Sequence, residues 1–445
     1  MSFKEIENGE LIVENWKECK LGDIADVLSG YAFKSKDFVD KGIPVIKIKN
    51  IIPPIIDITD VEYVNEELYD EKQRYALEYN DVLISMTGSN VNQIASAVGK
   101  IGRVRLKNTK MLLNQRVGKL YITDKDQCDY NYLYYYLIQE EVRYNLAASA
   151  GGSANQANIS PKQIKDINIK LPSIKEQKAI ANILSNLDEK IETNNQINKM
   201  LEEMAKAIFK QWFVDFEFPN EEGDPYKSSG GEMVESELGM IPKGWQYKEL
   251  RELCNITSSK RIFMNEYVKE GIPFYRGKEI IEKSKGSLIS TELYISIDKY
   301  NEIKDKFSVP VKGDILLTSV GTLGIPYKVD YEKFYFKDGN LTWFKDYIQN
   351  EYSNYIYLWL LSNEGQSSLE SITIGSTQKA LTIASLKKLK LMIPNDLLLK
   401  KFESVISKVI DKIYLNNTEK ENLIKIRDNL LSKLMSGRIK VPLND

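Results

Sequence analysis

The sequence predicts an α+β protein built twice, with two pseudo-symmetric globular domains separated by two long helices packed antiparallel as a coiled coil. Three observations carry this reading. The same features recur in the same order in residues 14–212 and 245–437. Each copy is rich in short β-branched and aromatic runs bounded by Gly, Asn and Asp, the pattern of strands and turns. Each copy then reaches a proline, Pro172 or Pro394, followed by an apolar seam sustained over about four heptads.

The repeat is read residue by residue. Trp16 answers Trp245, and Gly42-Ile43-Pro44 answers Gly271-Ile272-Pro273. Asp81-Val82-Leu83-Ile84 with Gly88 answers Asp314-Ile315-Leu316-Leu317 with Gly321. Asn131-Tyr132-Leu133-Tyr134 answers Asn354-Tyr355-Ile356-Tyr357, and Gly152-Ser153 with Gln156 answers Gly375-Ser376 with Gln378. An internal duplication gives one polypeptide a pseudo-two-fold symmetry, suited to reading two separated half-sites or holding two copies of one partner.

In chain order, the first domain is expected over 1–172, with strands at 44–48, 81–85 and 116–122 and a helix over 129–146. The first spacer helix follows over 173–213. Ile180, Leu184, Leu187, Ile191, Asn194, Asn198, Leu201, Ala205 and Ile208 advance by alternating steps of four and three, the stripe of a coiled coil. Such a helix spans roughly 57 Å, too long for a routine core helix. Residues 214–244, rich in Gly, Pro and Glu, read as an ordered-to-flexible linker. The second domain is expected over 245–394 and the second spacer helix, with the C-terminus, over 395–445. Its seam repeats the first at one constant offset: Phe402, Ile406, Val409, Ile413, Asn416, Lys420, Leu423, Arg427, Leu430 and Leu434. Two register-matched helices are expected to pack on each other. Asn194 and its counterpart Asn416 would lower stability but fix register.

Composition narrows the function classes. At 445 residues the chain suits about two to four domains. No unbroken apolar run approaches ~18 residues, so no membrane span is expected, and the opening residues lack the apolar core of a secretory signal. Cys19, Cys128 and Cys254 are few, odd in number and far apart, which predicts a reducing, cytoplasmic setting and neither a disulfide framework nor a metal cluster. There is no histidine. That removes His-based triads, His-ligated zinc and the usual general base near neutral pH. A net charge of −2 does not by itself announce nucleic acid, although Lys100, Arg103, Arg105, Lys107 and Lys110 crowd one stretch of the first half and Lys387, Lys388 and Lys390 one of the second.

Catalytic signatures are missing. The Gly-Lys pairs at 99–100, 118–119 and 277–278 lack the upstream glycine of a phosphate-binding loop. Asp224-Pro225-Tyr226 lies in the polar linker rather than at a strand end. Asp70-Glu71-Lys72 and Asp188-Glu189-Lys190 resemble nuclease clusters, but the second falls on the spacer helix and reads as a solvated face.

Polar loops suited to recognition remain. Segment 85–93 carries Thr87, Ser89, Asn90, Asn92 and Gln93, and its counterpart in the second half carries Thr318, Ser319 and Thr322. Segment 149–160 carries Ser153, Asn155 and Gln156, and the matched 373–382 carries Ser376, Thr377, Gln378 and Lys379. Lys100, Arg103 and Arg105 supply cations to the first half, and Lys260, Arg261, Arg276 and Lys278 to the second. Amides pair bidentately with adenine, Arg and Lys with guanine, and hydroxyls with either. Small residues beside them let a backbone approach phosphates. A polar glycine-rich loop is by default only a loop; recurrence at equivalent places in both halves makes these the candidate DNA contacts.

The whole arrangement resembles the specificity subunit of a Type I restriction–modification enzyme. The resemblance rests on Leu171-Pro172-Ser173-Ile174-Lys175-Glu176-Gln177-Lys178-Ala179-Ile180, on Leu187-Asp188-Glu189-Lys190-Ile191, on Phe209-Lys210-Gln211-Trp212-Phe213-Val214-Asp215-Phe216, and on Leu430-Leu431-Ser432-Lys433-Leu434-Met435-Ser436-Gly437. It covers about 14–440. The second copy departs where Asn395-Asp396-Leu397-Leu398-Leu399-Lys400-Lys401 replaces the Glu-Gln pair.

The resemblance implies two target-recognition domains, each contacting half of a bipartite, asymmetric site in double-stranded DNA, with the helices setting the gap. It implies docking of two methylation subunits, which use S-adenosylmethionine to modify adenine, and of two restriction subunits driven by ATP and magnesium. This chain itself would be non-catalytic, without cofactor or metal. The competing reading is a coiled-coil adaptor whose globular ends bind proteins. A third, a nuclease fused into the same chain, lacks both a motif and spare sequence.

Overall fold

In the computed structural model the described residues are 6–7, 10–11, 16–90, 92–93, 98–153, 156–237, 239–287, 289, 291, 293–375 and 379–442. The chain forms two compact units, one of residues 1–190 with 423–445 and one of residues 191–422.

In the first unit, strands β1 (Lys17–Lys20), β2 (Ala25–Ser29), β3 (Val82–Ser85), β4 (Thr87–Gly88), β5 (Ile101–Arg103) and β6 (Val117–Ile122) precede helix α1 (Tyr130–Leu137). Strands β7 (Gly151–Ser153), β8 (Gln156–Asn158) and β9 (Asn168–Leu171) follow, ahead of the 40-residue helix α2 (Ile174–Phe213). The main sheet runs β2-β6-β3-β5, antiparallel throughout, and is extended past β5 by Ile55–Ile56 and Ile51–Ile52. Strand β3 is buried along its whole length, so it reads Val-Leu-Ile-Ser rather than alternating. A second sheet orders Leu112–Leu113, Ile43–Ile46, Glu62–Val64 and Phe38–Val39.

In the second unit, β10 (Gln246–Glu249), β11 (Asn255–Thr257), β12 (Ile315–Thr318), β13 (Pro326–Lys328) and β14 (Leu341–Lys345) lead to helix α3 (Glu351–Leu361). Strand β15 (Lys390–Ile393) precedes the 40-residue helix α4 (Asp396–Met435). The main sheet, β11-β14-β12-β13, repeats the strand order of the first unit. So does the second sheet, in the order Tyr335–Phe336, Ile272–Tyr275, Tyr294–Ile295 and Tyr267–Val268. The duplication is therefore one of topology as well as sequence.

The repeated motifs have local reasons. Gly42 and Gly271 take φ of +155° and +154°, and a Cβ there would meet Val64 O at 2.2 Å or Ile295 O at 2.3 Å. Only glycine lets the second sheet close so tightly. Each copy also closes alike: β1 pairs antiparallel with β9, Lys17 opposite Leu171, and β10 with β15, Gln246 opposite Ile393. The chain thus enters and leaves each domain side by side, directly before a long helix.

The structure refines two element assignments. The helix expected over 129–146 is two helices, α1 and Glu140–Ala148, because Gln139 turns extended between them. Helix α1 buries Tyr132, Leu133, Tyr134, Tyr135 and Leu137, whereas the next begins with exposed Glu140 and Glu141, which suit a helix N-terminus. The segment 214–244, expected as an ordered-to-flexible linker, holds regular structure among its described residues. Met233–Ser236 and Gly239–Pro242 form a hairpin, and Phe218 stacks between Tyr226 at 4.5 Å and Trp245 at 5.2 Å.

The compact units divide inside the long helices because each helix end packs on a different core. Ile180, Ala181 and Leu184 join Leu434, Met435 and Val441 in the core of the first unit. Ala205, Phe209 and Phe213 join Phe402, Ile406 and Tyr355 in that of the second. Every seam position is buried or half-buried: Leu187, Ile191, Leu201, Ile208, Leu423 and Leu430 partly, Val409 and Ile413 fully. In the second unit the polar rungs show antiparallel pairing. Asn194 donates to Glu419 Oε2 at 2.8 Å, and Asn416 to Asn198 Oδ1 at 2.8 Å. Asn194 and Asn416 therefore each bond a neighbour of the other rather than one another. In the first unit, Asp188 is not part of a solvated face. Only 11 % of its side chain is exposed, and it accepts from Arg427 Nη1 at 2.9 Å and from the Tyr135 hydroxyl at 2.6 Å.

Among the described residues, no helix is long and apolar enough to cross a membrane, and no group of three or more His, Cys, Asp or Glu could hold a metal ion.

Candidate nucleic-acid interface

The candidate loops of each half are held together. In the first unit β4 pairs antiparallel with β8, and β8 with β7, so segment 85–93 is zipped to segment 149–160. Thr87 Oγ1 donates to Asn158 Oδ1 at 2.7 Å across this seam. In the second unit Val320 bridges to Ala380, and Leu381 N donates to Ser319 O at 2.9 Å. Both pairs of loops continue from the end of the central strand, β3 or β12. A rigid strand thus aims a polar loop that is tied to a second polar loop.

The start of each central strand is fixed by the repeated aspartate. Asp81 Oδ2 accepts the Glu78 N–H at 2.8 Å and pairs with Lys119 Nζ at 2.6 Å. Asp314 Oδ2 accepts the Val311 N–H at 3.0 Å and Trp343 Nε1–H at 2.8 Å. Lys119 and Trp343 occupy matched places, opposite Leu83 and Leu316. The first carboxylate meets a cation and the second a neutral indole. Burial therefore pushes Asp314 up to about 6, against the opposing bonds from Val311 and Trp343.

Because the folded carboxyl titrates above the unfolded value of 3.8, folding takes up a proton between about pH 4 and 6. Stability from this group falls as pH rises through that window. Asp314→Asn removes the penalty. Measured by urea unfolding, its stability relative to the parent is expected to rise by roughly 2 kcal/mol from pH 4 to pH 7. An unchanged difference would show the carboxyl to be charged throughout.

The candidate residues separate by burial. Asn92, Gln93, Lys260, Arg261, Lys278, Thr322 and Lys379 are exposed, and Asn90, Lys100, Arg105 and Arg276 are half-buried. Arg105 donates to Asn80 Oδ1 at 2.8 Å, Arg261 to Asp338 at 2.8 Å, and Arg276 to the buried Glu279 at 2.6 Å. Ser153 and Gln156 face each other in the β7·β8 backbone register. Asn155, Ser376, Thr377 and Gln378 lie outside the described residues.

Five candidates are buried, which corrects their assignment as direct contacts in this conformation. Thr87 and Ser89 are spent on loop bonds, to Asn158 and to Gln93 O. Thr318 Oγ1 accepts the Ile325 N–H, and Ser319 shares a 2.6 Å bond with Thr342. Arg103 is 1 % exposed, its guanidinium 3.8 Å over the Tyr134 ring. It has a counterpart. Arg103 stands opposite Val82, and buried Lys328 stands opposite Ile315 at the matched place in the second sheet. Lys328 donates to Ser353 Oγ at 2.7 Å and to Asn354 Oδ1, and Asn354 in turn donates to Glu403 on α4 at 2.9 Å. Burial lowers the Lys328 pKa and raises that of Glu403. These cations tie sheet to helix inside each unit.

The structure adds residues that sequence reasoning missed. Ser258, Ser259, Asp338 and Thr342 line a cleft of about 320 Å³ with Ser319 and Leu381. Ser258-Ser259 directly precede the chosen Lys260-Arg261, and that adjacency was the available signal.

Comparison with known proteins accords with this geometry. Residues 13–203 and 242–425 match the family described as the Type I restriction modification DNA specificity domain. The chain is 30% identical over 455 residues to the Type I restriction enzyme MjaIX specificity subunit of Methanocaldococcus jannaschii, covering 99% of this chain and 96% of that one. It is 22% identical to the HindI specificity subunit of Haemophilus influenzae, with 96% and 100% covered. The crystal structure of the S subunit from M. genitalium shares the fold, with a TM-score of 0.55 at 18% identity over 98% of this chain and 99% of that one. Both copies of the repeat match, and the alignment to the first relative runs almost end to end: the chain belongs to the Type I restriction–modification DNA specificity family.

Proposed function

We propose that this chain is the sequence-reading subunit of a Type I restriction–modification complex. Each domain reads one half of a bipartite, asymmetric site in double-stranded DNA, and the paired helices set the gap between the halves. The observation that carries the reading is the zipped pair of polar loops, placed at the end of the same central strand in two copies of one domain. The two copies differ in loop chemistry, so the half-sites differ too.

The chain performs no bond-making itself. Methylation subunits using S-adenosylmethionine, and restriction subunits using ATP and magnesium, supply the reactions, in the cytoplasm where the DNA lies. Exposed Met200 and Met204 on α2 and Leu415 and Ile426 on α4 offer apolar anchors for such partners. Two copies of the methylation subunit suit the duplicated chain, and Met204 and Ile426 occupy matched positions of the two long helices.

Sequencing methylated adenines in host DNA, with and without this chain beside its methylation partner, tests the reading. The expected result is a bipartite motif with a fixed gap, methylated only when the chain is present. No motif, together with DNA binding that is indifferent to sequence and salt, would favour the protein-binding adaptor instead, since phosphate contacts weaken log-linearly with salt.

A further inference from the structure

The two copies share one turn and differ at its tip. Residues 34–37 and 263–266 are each closed by an acidic side chain. Asp37 accepts the Lys34 N–H at 2.7 Å, and Glu266 accepts the Phe263 N–H at 2.7 Å. Both turns lead into matching strands of the second sheet, Phe38–Val39 and Tyr267–Val268. In the first copy the tip is Lys34-Ser35. In the second it is Phe263-Met264, with Phe263 61 % and Met264 85 % exposed. An apolar pair at the tip of a capped turn contributes nothing to the core, and the first copy builds the same turn without one.

The surroundings indicate what covers this tip. The turn follows Ser258 and Ser259, which line the cleft beside the zipped loops of the second unit. Lys260 Nζ stands 4.9 Å over the ring of Phe307, itself 55 % exposed. Lys260 and Lys337 are exposed and have no carboxylate partner among the described residues. Ser259 bonds the backbone carbonyl of Phe336, so the chain neighbours of Lys260 and Lys337 meet beside the cleft, which Asp338 also lines. An exposed aromatic and thioether that follow an exposed lysine within a few residues of the chain match a nucleic-acid duplex. The cations neutralise phosphates, and the apolar tip can enter a base step or stack on it.

We propose that Phe263 and Met264 form a wedge that partly unstacks one base step at the half-site read by the second domain, while the first domain meets its half-site at the matched turn through the charge of Lys34. The proposal rests on the reading of the chain as a DNA-recognition subunit. It adds that the two half-sites are held by different physics.

The test uses the full chain assembled with its methylation subunits and a duplex carrying the motif found by methylation sequencing. Fluorescent base analogues are walked through the second half-site and its borders. Unstacking is expected to brighten one position severalfold with the parent chain. With F263A/M264A that signal is expected to vanish and the dissociation constant to rise at least tenfold, with an unchanged slope of log affinity on log salt. F263W is expected to retain the signal, and Lys260→Ala to reduce the salt slope by about one unit. Both tip residues are exposed, so the circular dichroism and melting of F263A/M264A should match the parent. Tight binding without brightening, or brightening that survives F263A/M264A, overturns the wedge and leaves the recognition reading intact. Failure of F263A/M264A to assemble with the methylation subunits assigns the tip to a protein partner and also overturns it. If the parent complex prefers no duplex, the recognition reading fails and the wedge with it.

Discussion

Arg427→Met is expected to cost about 3–5 kcal/mol of stability, read by urea unfolding. Arg427 and Asp188 have only 14 % and 11 % of their side chains exposed and meet at 2.9 Å. Burial works against the Arg427 charge, but Asp188 and Asp428 outweigh it and raise its pKa. Removing the guanidinium leaves Asp188 largely out of water, with the Tyr135 hydroxyl still donating to it. One neutral donor does not replace a cation. The second half of the test is rescue. Asp188→Leu combined with Arg427→Met replaces a buried pair by apolar groups, and should recover most of the loss. A double variant as unstable as the single one would show that the ion pair itself, rather than an uncompensated charge, holds the unit. The functional consequence is local. Asp188 joins α2 to the recognition domain through Tyr135 on α1, and to the returning C-terminal segment through Arg427.

Exchanging residues 14–172 for the corresponding domain of another family member is expected to replace one half of the methylated motif completely and leave the other half and the gap unchanged. The fold makes this exchange feasible. Strands β1 and β9 pair with Lys17 opposite Leu171, so the first and last of these strands of the domain run side by side just inside the two junctions. The incoming domain must supply an apolar surface for Ile180, Leu184, Leu434 and Met435, and a hydroxyl for Asp188. Methylated-adenine sequencing is the readout. A change in both halves would show that the domains do not read independently.

Much of the fold is legible in the chain itself. The heptad steps locate α2 and α4, because a face buried every three or four residues must be apolar whatever covers it. The runs Val82–Ser85 and Ile315–Thr318 mark central strands, because both of their faces are covered. The Gly-Ile-Pro repeats mark a backbone approach that only glycine permits. The candidate site is less legible. Arg103 and Arg105 look like one basic patch in sequence, yet one lies under Tyr134 and the other reaches Asn80 near the surface. Thr318 and Ser319 look like free hydroxyls, and both are committed to internal bonds. Asp338 and Thr342 reach the cleft from a turn and the strand after it, far along the chain from Ser258.

The sequence alone determined that the molecule is a duplication, where the two long helices and the central strands lie, and which faces of those helices are buried. Those properties follow from periodicity, and periodicity is local. The tertiary structure decided which polar side chains meet solvent, where the compact units divide, and that Leu434, Met435 and Val441 complete the core of the first unit. Each of these depends on what covers a residue from a distant part of the chain. A strand's own sequence records that a face is buried but not the partner that buries it, so Arg103 and Lys328 became interior cations only when Tyr134 and the Asn354–Glu403 pair closed over them.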